Sequence, residues 1–252
     1  LIVYGRNPVT ETLLGKPSSV EEVLISEGAR RERFLDVIRL ARENGVKVSF
    51  LPQRAISKIA GTSDHQGIVA RVLEFEYGTI DGILGLASRR KERPLVVILD
   101  HIEDPQNLGS IIRTVNVLGA HGVLIPKDRA AGVTPAVIKA SAGAVSFVQI
   151  ARVVNLVRTI RDLKKRGIWI VGADQGASKS VFEEVLGDLD LALVIGSEGR
   201  GLGRLVKEEC DFLLSIPSVG EVSSLNASVA AGIMIYEIVK QRRSIHERVS
   251  IR

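Results

Sequence analysis

Residues 95–126 read LVVILDHIEDPQNLGSIIRTVNVLGAHGVLIP, and the reading of this stretch decides the fold. Leu95 to Leu99 is apolar at every position, as expected of a strand covered on both faces. Asn107 is placed to cap a helix that begins at Leu108 and runs to Leu118, with Ile111, Ile112 and Val115 on its buried side. Gly122 to Ile125 is a second apolar run. A buried strand, a helix and another buried strand form the unit from which parallel sheets are built.

Working outward, the same alternation continues downstream. Val145 to Ile150, Ile168 to Ala173, Leu191 to Ile195 and Phe212 to Ile216 read as strands. Pro135 to Ala140, Val153 to Arg166 and Leu202 to Glu208 read as helices, and Asn226 to Arg242 closes the domain. Ala227, Ala230, Ala231 and Gly232 in that last helix lack bulk and suit close packing against another backbone. Residues 94–243 are therefore predicted to be an α/β domain with a largely parallel sheet, followed by a tail over 244–252. Trp169 and Phe147 lie in strand-like runs and are expected in the core.

Upstream, residues 76–93 change texture. Tyr77-Gly78, Asp81-Gly82 and the charged run from Ser88 to Arg93 predict a linker, with a short helix at Ile80 to Ala87. Residues 1–75 read as a small α/β unit. Asn7-Pro8 opens a helix, Val20 to Ser26 is a strand, and Arg30 to Asn44 is a helix with Phe34, Val37, Ile38 and Ala41 on one face. Val46 to Leu51, Gln53 to Ala60 and Gly67 to Leu73 complete it as strand, helix and strand.

The composition is that of a globular protein: 252 residues, 45% hydrophobic, 25% charged, with a formal net charge of +5. That charge leans weakly toward a polyanionic partner. Cys210 is the sole cysteine, which excludes an internal disulfide and any multi-cysteine metal site, and His65, His101, His121 and His246 show no ligand spacing, so no metal is expected. The apolar runs are far shorter than a membrane span, no leader pattern opens the chain, and cytoplasm is the expected compartment.

Three clusters carry candidate chemistry. The first, Asp100 to Arg113, follows a buried strand at the sheet end where ligands of open parallel sheets bind. A capped helix with a solvent-facing arginine accounts for the same residues. The second is Gly196-Ser197-Glu198-Gly199-Arg200-Gly201-Leu202-Gly203. Its glycines would let backbone donors approach a ligand. The glycine order does not match a dinucleotide fingerprint, no acidic ribose ligand follows at the right distance, and the P-loop lysine is missing. The third runs from Ile216-Pro217-Ser218 to Ser223-Ser224-Leu225-Asn226. Ser224 or Asn226 there can cap the last helix or furnish a pocket with a few hydrogen bonds.

Taken in this order and at these intervals, the clusters resemble the SpoU/TrmH family of knotted (SPOUT) methyltransferases. The matching segments are Asp104-Pro105-Gln106-Asn107-Leu108-Gly109 through Arg113, Leu193 to Gly199 with Gly201, and Ile216-Pro217 followed by Ser223 to Ala230. Tyr4-Gly5 and His65-Gln66-Gly67-Ile68 make the front unit similar to an L30e-like substrate-binding domain. The resemblance is strongest to the branch that 2′-O-methylates a guanosine in the peptidyl-transferase region of 23S rRNA.

The resemblance implies a deep trefoil knot near the C-terminus, a homodimer, and S-adenosylmethionine as methyl donor. It also implies that Gly196, Ile216 and Leu225 contact that cofactor, largely through backbone groups, with Ala173 and Ser218 nearby. Asn107, Arg113, Glu198, Ser224 and Asn226 match the catalytic and substrate-positioning set. A guanidinium is normally protonated and has no acceptor, so Arg113 stands either as the base or as an electrostatic clamp on the ribose oxygen and phosphate. RNA affinity is expected from Arg6, Arg30, Arg31, Arg54, Arg89 and Arg90, and it should weaken with salt. Two other readings remain: a tRNA or other rRNA methyltransferase of the same family, and an RNA-binding or ribosome-assembly module without turnover. A dinucleotide oxidoreductase is disfavoured by the glycine order.

Overall fold

The computed structural model describes residues 1–221 and 224–250, with the backbone alone for residue 31 and residues 246–250. In chain order the elements are β1 (Ile2–Tyr4), α1 (Arg6–Gly15), β2 (Val20–Ser26), α2 (Leu35–Glu43), β3 (Lys47–Leu51), α3 (Gln53–Ala60), β4 (Ile68–Val72) and α4 (Ile80–Arg90). Then come β5 (Leu95–Asp100), α5 (Pro105–Leu118), β6 (Gly122–Pro126), α6 (Pro135–Ala140), β7 (Gln149–Val153), α7 (Leu156–Lys165) and β8 (Trp169–Ala173). The chain continues through β9 (Lys179–Ser180), β10 (Leu191–Gly196), α8 (Arg204–Glu209) and β11 (Phe212–Ser215) to α9 (Ala227–Ser250). No helix among the described residues is long and apolar enough to cross a membrane.

The chain divides into two compact units, one of residues 1–76 with 133–147, the other of residues 77–132 with 148–252. In the first, a four-stranded sheet has the order β1-β4-β2-β3, with β2 and β3 parallel and both β4 pairings antiparallel. Leu24, Ile56 and Val69 form a buried cluster against α3. The motif His65-Gln66-Gly67 is structural here. Gly67 donates its N–H to His65 Nδ1 at 3.0 Å, so the ring proton sits on Nε2 and donates to Ser57 Oγ at 2.9 Å. Ser57 Oγ in turn donates to the Gln53 carbonyl.

Residues 133–147, which the sequence pattern puts in the second domain, belong to this first unit. Their contacts explain it. Lys139 Nζ pairs with Asp64 at 2.5 Å and lies 4.8 Å from the Tyr4 ring centre, while Ser146 and Phe147 sit against Gly15 with no room for a Cβ there. Phe147 is accordingly half exposed and is not a core residue. The expected strand at Val145 to Ile150 begins only at Gln149, because Ala144–Ser146 is a 3-10 turn.

The second unit is a seven-stranded, wholly parallel sheet of order β7-β6-β5-β10-β8-β11-β9. Ile98, Leu124, Ala192, Val194 and Ile170 from neighbouring strands pack with Ile160 and Leu163 of α7 in one core cluster. Trp169, another expected core residue, opens β8 and is 45% exposed, its ring 5.6 Å from that of Phe212. The 76–93 segment carries α4, capped by Thr79, whose Oγ1 accepts from the Gly82 N–H. At the bottom of β5, Leu95 donates its N–H to Nδ1 of buried His121, whose Nε2 faces Glu92 at 3.0 Å. α5 starts earlier than the sequence suggests: Asp104 is the cap, accepting from the N–H groups of Gln106 and Asn107, and Pro105 fills the first turn. That frees the Asn107 side chain for other work.

Candidate active site

The site lies at the C-terminal ends of β5, β8 and β10 and the N-termini of α5 and α9. Gly196 ends β10, and the loop after it folds back, with the Gly201 N–H donating to the Ser197 carbonyl at 2.9 Å. Glycine is required at three points. A Cβ on Gly196 would overlap the Gly201 carbonyl and reach Leu202 N at 2.5 Å, and Gly199 and Gly201 have φ of 78° and 64°. The far end of the loop is held from below: Gly203 donates its N–H to Asp100 Oδ2 at 2.7 Å.

Glu198 on this loop ties the three distant segments together. Its Oε1 accepts from Asn107 Nδ2 at 2.8 Å, from Asn226 Nδ2 at 2.5 Å and from the Ala227 N–H at 3.3 Å. Asn226 Nδ2 also donates to Asn107 Oδ1 at 2.9 Å. The orientation of Asn226 is fixed from the other side, because Oδ1 accepts from the N–H of Ser228 at 2.9 Å and of Val229 at 3.3 Å, capping α9. With its carbonyl committed to the helix, its NH2 must face Glu198 and Asn107. Three donors converge on one carboxylate oxygen, so Glu198 clamps the three segments together.

Beside this clamp is a cavity of about 400 Å³, within the size range of small-molecule sites. All five expected cofactor contacts line it: Ala173, Gly196, Ile216, Ser218 and Leu225. Glu198 and Ser224 of the expected catalytic set line it too. Asp174, Gln175 and Lys207 also contribute, Lys207 paired with Asp174, and sequence reasoning missed all three in this role. Only position on the sheet marks them: Asp174 follows β8 directly. A second cavity of about 340 Å³ adjoins, sharing Ser197, Glu198 and Arg200 with the first and adding His101, Ile102, Glu103, Asp104 and Asn107.

The structure thus brings together Asn107, Glu198 and Asn226, with Ser224 nearby, and leaves Arg113 apart. Arg113 lies six residues beyond Asn107, about 9 Å along α5. It is exposed and has no ion pair or hydrogen bond among the described residues. Ser223 lies outside the described residues. Of the expected RNA contacts, Arg6 is bound to Asp36 at 2.6 Å, Arg30, Arg54, Arg89 and Arg90 are exposed, and the Arg31 side chain is outside the description. Asp211, near the glycine loop in sequence, is structural and accepts from the Ile170 N–H. Burial pushes the Cys210 thiol up to about 12, so it is no nucleophile near neutrality. No cluster of potential metal ligands occurs among the described residues.

A parallel sheet carrying a glycine loop and an asparagine–glutamate clamp beside a cavity of this size is the arrangement of an α/β protein with a small-molecule site at the C-terminal edge of its sheet. Comparison with known proteins narrows it. Residues 94–236 match the model of the SpoU rRNA Methylase family, and residues 2–78 match that for RNA 2′-O ribose methyltransferase substrate binding. The chain belongs to the SpoU rRNA methylase family. It is 45% identical over 245 residues, 97% of each chain, to a Bacillus subtilis protein named as a TrmH family tRNA/rRNA methyltransferase, YacO. Its structure is similar to that of the SpoU methyltransferase AviRb from Streptomyces viridochromogenes in complex with AdoMet, with TM-score 0.79 and 28% identity, covering 97% of this chain and 91% of that one. It is also similar to an AdoMet-bound rRNA methyltransferase from Sinorhizobium meliloti, with TM-score 0.76 and 25% identity over 96% of this chain and 87% of that one.

Proposed function

We propose that this protein, an S-adenosylmethionine-dependent RNA methyltransferase, methylates the 2′-hydroxyl of a ribose, with a guanosine in the peptidyl-transferase region of 23S rRNA as its target. The convergence on one cavity of Gly196, Ile216 and Leu225, closed at one side by the Glu198 clamp, carries this reading. The cavity fits the cofactor. Leu214, Ile216 and Leu225 offer apolar surface to a base, and the Lys207–Asp174 pair and Gln175 offer both charges and an amide to a zwitterionic ligand.

Ala173, Gly196, Ile216, Ser218 and Leu225 hold the cofactor, which supplies a methyl group already activated by its sulfonium. The chain's own work is positioning. Asn107 and Asn226 fix Glu198, and Ser224 offers a hydroxyl at the cavity edge. Arg113 supplies positive charge to the ribose oxygen or its neighbouring phosphate, acting as a clamp on the substrate. A guanidinium offers five donors in a planar fork and no acceptor, which favours that role over the base.

Arg113 reaches such a substrate in a homodimer. Val117, one turn further along α5, is 71% exposed, and Val229 and Tyr236 on α9 are also exposed, so two adjacent helices present apolar side chains beside Arg113. Burying this face against a second copy would bring Arg113 into a dry, shared site. The trefoil knot belongs to the same reading, supported by the match of residues 94–236 to the SpoU methylase model. The front unit takes RNA through Arg6, Arg30, Arg31 and Arg54, and Arg89 and Arg90 of α4 add to it; the match to a substrate-binding model supports this. Mapping 2′-O-methyl groups in RNA from cells with and without the gene tests the target. Loss of one methylguanosine in 23S rRNA is the expected result. Loss in tRNA alone would overturn the target assignment.

A further inference from the structure

Asp100 is fully buried at the end of an otherwise apolar strand, where an isolated carboxylate is costly. Both of its oxygens are used. Oδ2 accepts from the Gly203 N–H at 2.7 Å, and Oδ1 lies 2.5 Å from His101 Nδ1. Since a carboxylate only accepts, His101 Nδ1 must carry a proton, and in the neutral ring Nε2 is then an acceptor. His101 also has φ of 59°, a left-handed conformation that a side chain of this kind adopts at some cost. A buried anion and a strained backbone together hold one imidazole in one pose. His101 lines the second cavity, and its Nε2 has no partner among the described residues.

The rest of that cavity shows what it can accept. Glu103 is exposed and unpaired among the described residues, Asp104 is committed to capping α5, and Glu198 leaves Oε2 without a partner. Three carboxylates outweigh the single guanidinium of Arg200 in this lining and disfavour a phosphate. The available groups are mostly acceptors, which suit the amino and imino edge of a nucleobase. We propose that the second cavity receives the base of the nucleotide to be methylated, and that His101, oriented by Asp100, positions it by accepting a hydrogen bond from that base at Nε2. This rests on the reading of the protein as an RNA methyltransferase and adds the residue that seats the substrate beside the cofactor cavity.

The test uses His101→Gly and His101→Asn, both of which tolerate the left-handed backbone. Methyl transfer is measured on total RNA from cells lacking the gene, which contains whichever target the enzyme has, with S-adenosylmethionine affinity measured by calorimetry in parallel. Both variants should raise KM for RNA at least tenfold and leave the cofactor Kd within twofold; His101→Asn, whose amide can still donate to Asp100, should melt close to the parent, and His101→Gly, which leaves Asp100 Oδ1 unpaired, should melt lower. Unchanged KM would overturn the proposal. So would a matching loss of cofactor affinity, which would mean that His101 acts through the Asp100–Gly203 contact on the glycine loop. If the unaltered enzyme transfers no methyl to this RNA, the broader functional reading fails and this one with it; normal transfer by the parent with normal KM in both variants defeats this one alone.

Discussion

Replacing Asn226 by Asp separates the two jobs this residue performs. The cap survives, because an aspartate oxygen accepts from Ser228 and Val229 as well as the amide oxygen does. The other side of the residue changes sign. Nδ2, which donates to Glu198 Oε1 at 2.5 Å and to Asn107 Oδ1 at 2.9 Å, becomes a carboxylate oxygen facing a carboxylate. Losing a hydrogen bond to a charged group costs about 1.5–3 kcal/mol. Two like charges at contact add about 1 kcal/mol in water and about 4 kcal/mol in a less polar setting. The lower figures apply near the surface, and the total is about 2.5 kcal/mol. For a chain of this size that lowers Tm by roughly 5–10 °C. Calorimetry gives the Tm, far-ultraviolet circular dichroism checks α9, and labelled-methyl transfer gives activity, which should fall at least a hundredfold. Adding Glu198→Gln restores a donor opposite the new acceptor and should recover part of the Tm without the activity. If Asn226→Asp melts within a degree or two of the parent and turns over normally, the clamp does not organise the site.

Gly196→Ala places a Cβ against the Gly201 carbonyl, so S-adenosylmethionine Kd should rise by at least a hundredfold in calorimetric titration; an unchanged Kd would mean the loop does not form the cofactor wall. Arg113→Ala should abolish methyl transfer with cofactor affinity within a few-fold, since Arg113 does not line the cofactor cavity, and near-normal turnover would remove it from the mechanism. Burial holds the His121 imidazole below its ordinary 6.5, against the opposing pull of Glu92 and with the Arg242 and Arg90 charges adding to the depression. Between the two values the unfolded chain binds a proton that the folded chain refuses, so this contribution to stability is complete above 6.5 and is lost as pH falls below it. Melting curves from pH 7.5 to 5.5 should show that fall, and His121→Asn, which keeps an acceptor for the Leu95 N–H, should flatten it; equal slopes would contradict the assignment.

Much of the parallel sheet was legible because strands covered on both faces leave unbroken apolar runs, as Leu95 to Leu99 and Leu191 to Ile195 do. The glycine loop was legible for a similar reason: Gly196, Gly199 and Gly201 sit where backbone closeness or positive φ leaves no alternative. Residues whose roles arise from tertiary contact were not. Asp100 looks like the polar end of a strand until Gly203, 103 positions later, is found on it. Residues 133–147 carry a helix signal but no sign that Lys139 will meet Asp64 and Tyr4 in the front unit. Phe147 and Trp169 show the limit of composition, since a large ring in an apolar run can lie over a glycine or beside another ring at the surface. Asp104 displaced Asn107 as helix cap because Pro105 makes a good first helical residue, and the displaced asparagine became part of the clamp.

A crystal structure with S-adenosylhomocysteine bound is the most direct measurement. The ligand should lie in the cavity between Gly196, Ile216 and Leu225, with Asn107, Glu198 and Asn226 still joined at its edge and Arg113 of one subunit facing it. Ligand density elsewhere on the chain, or in this cavity with Arg113 remote from it in every subunit, would contradict the account.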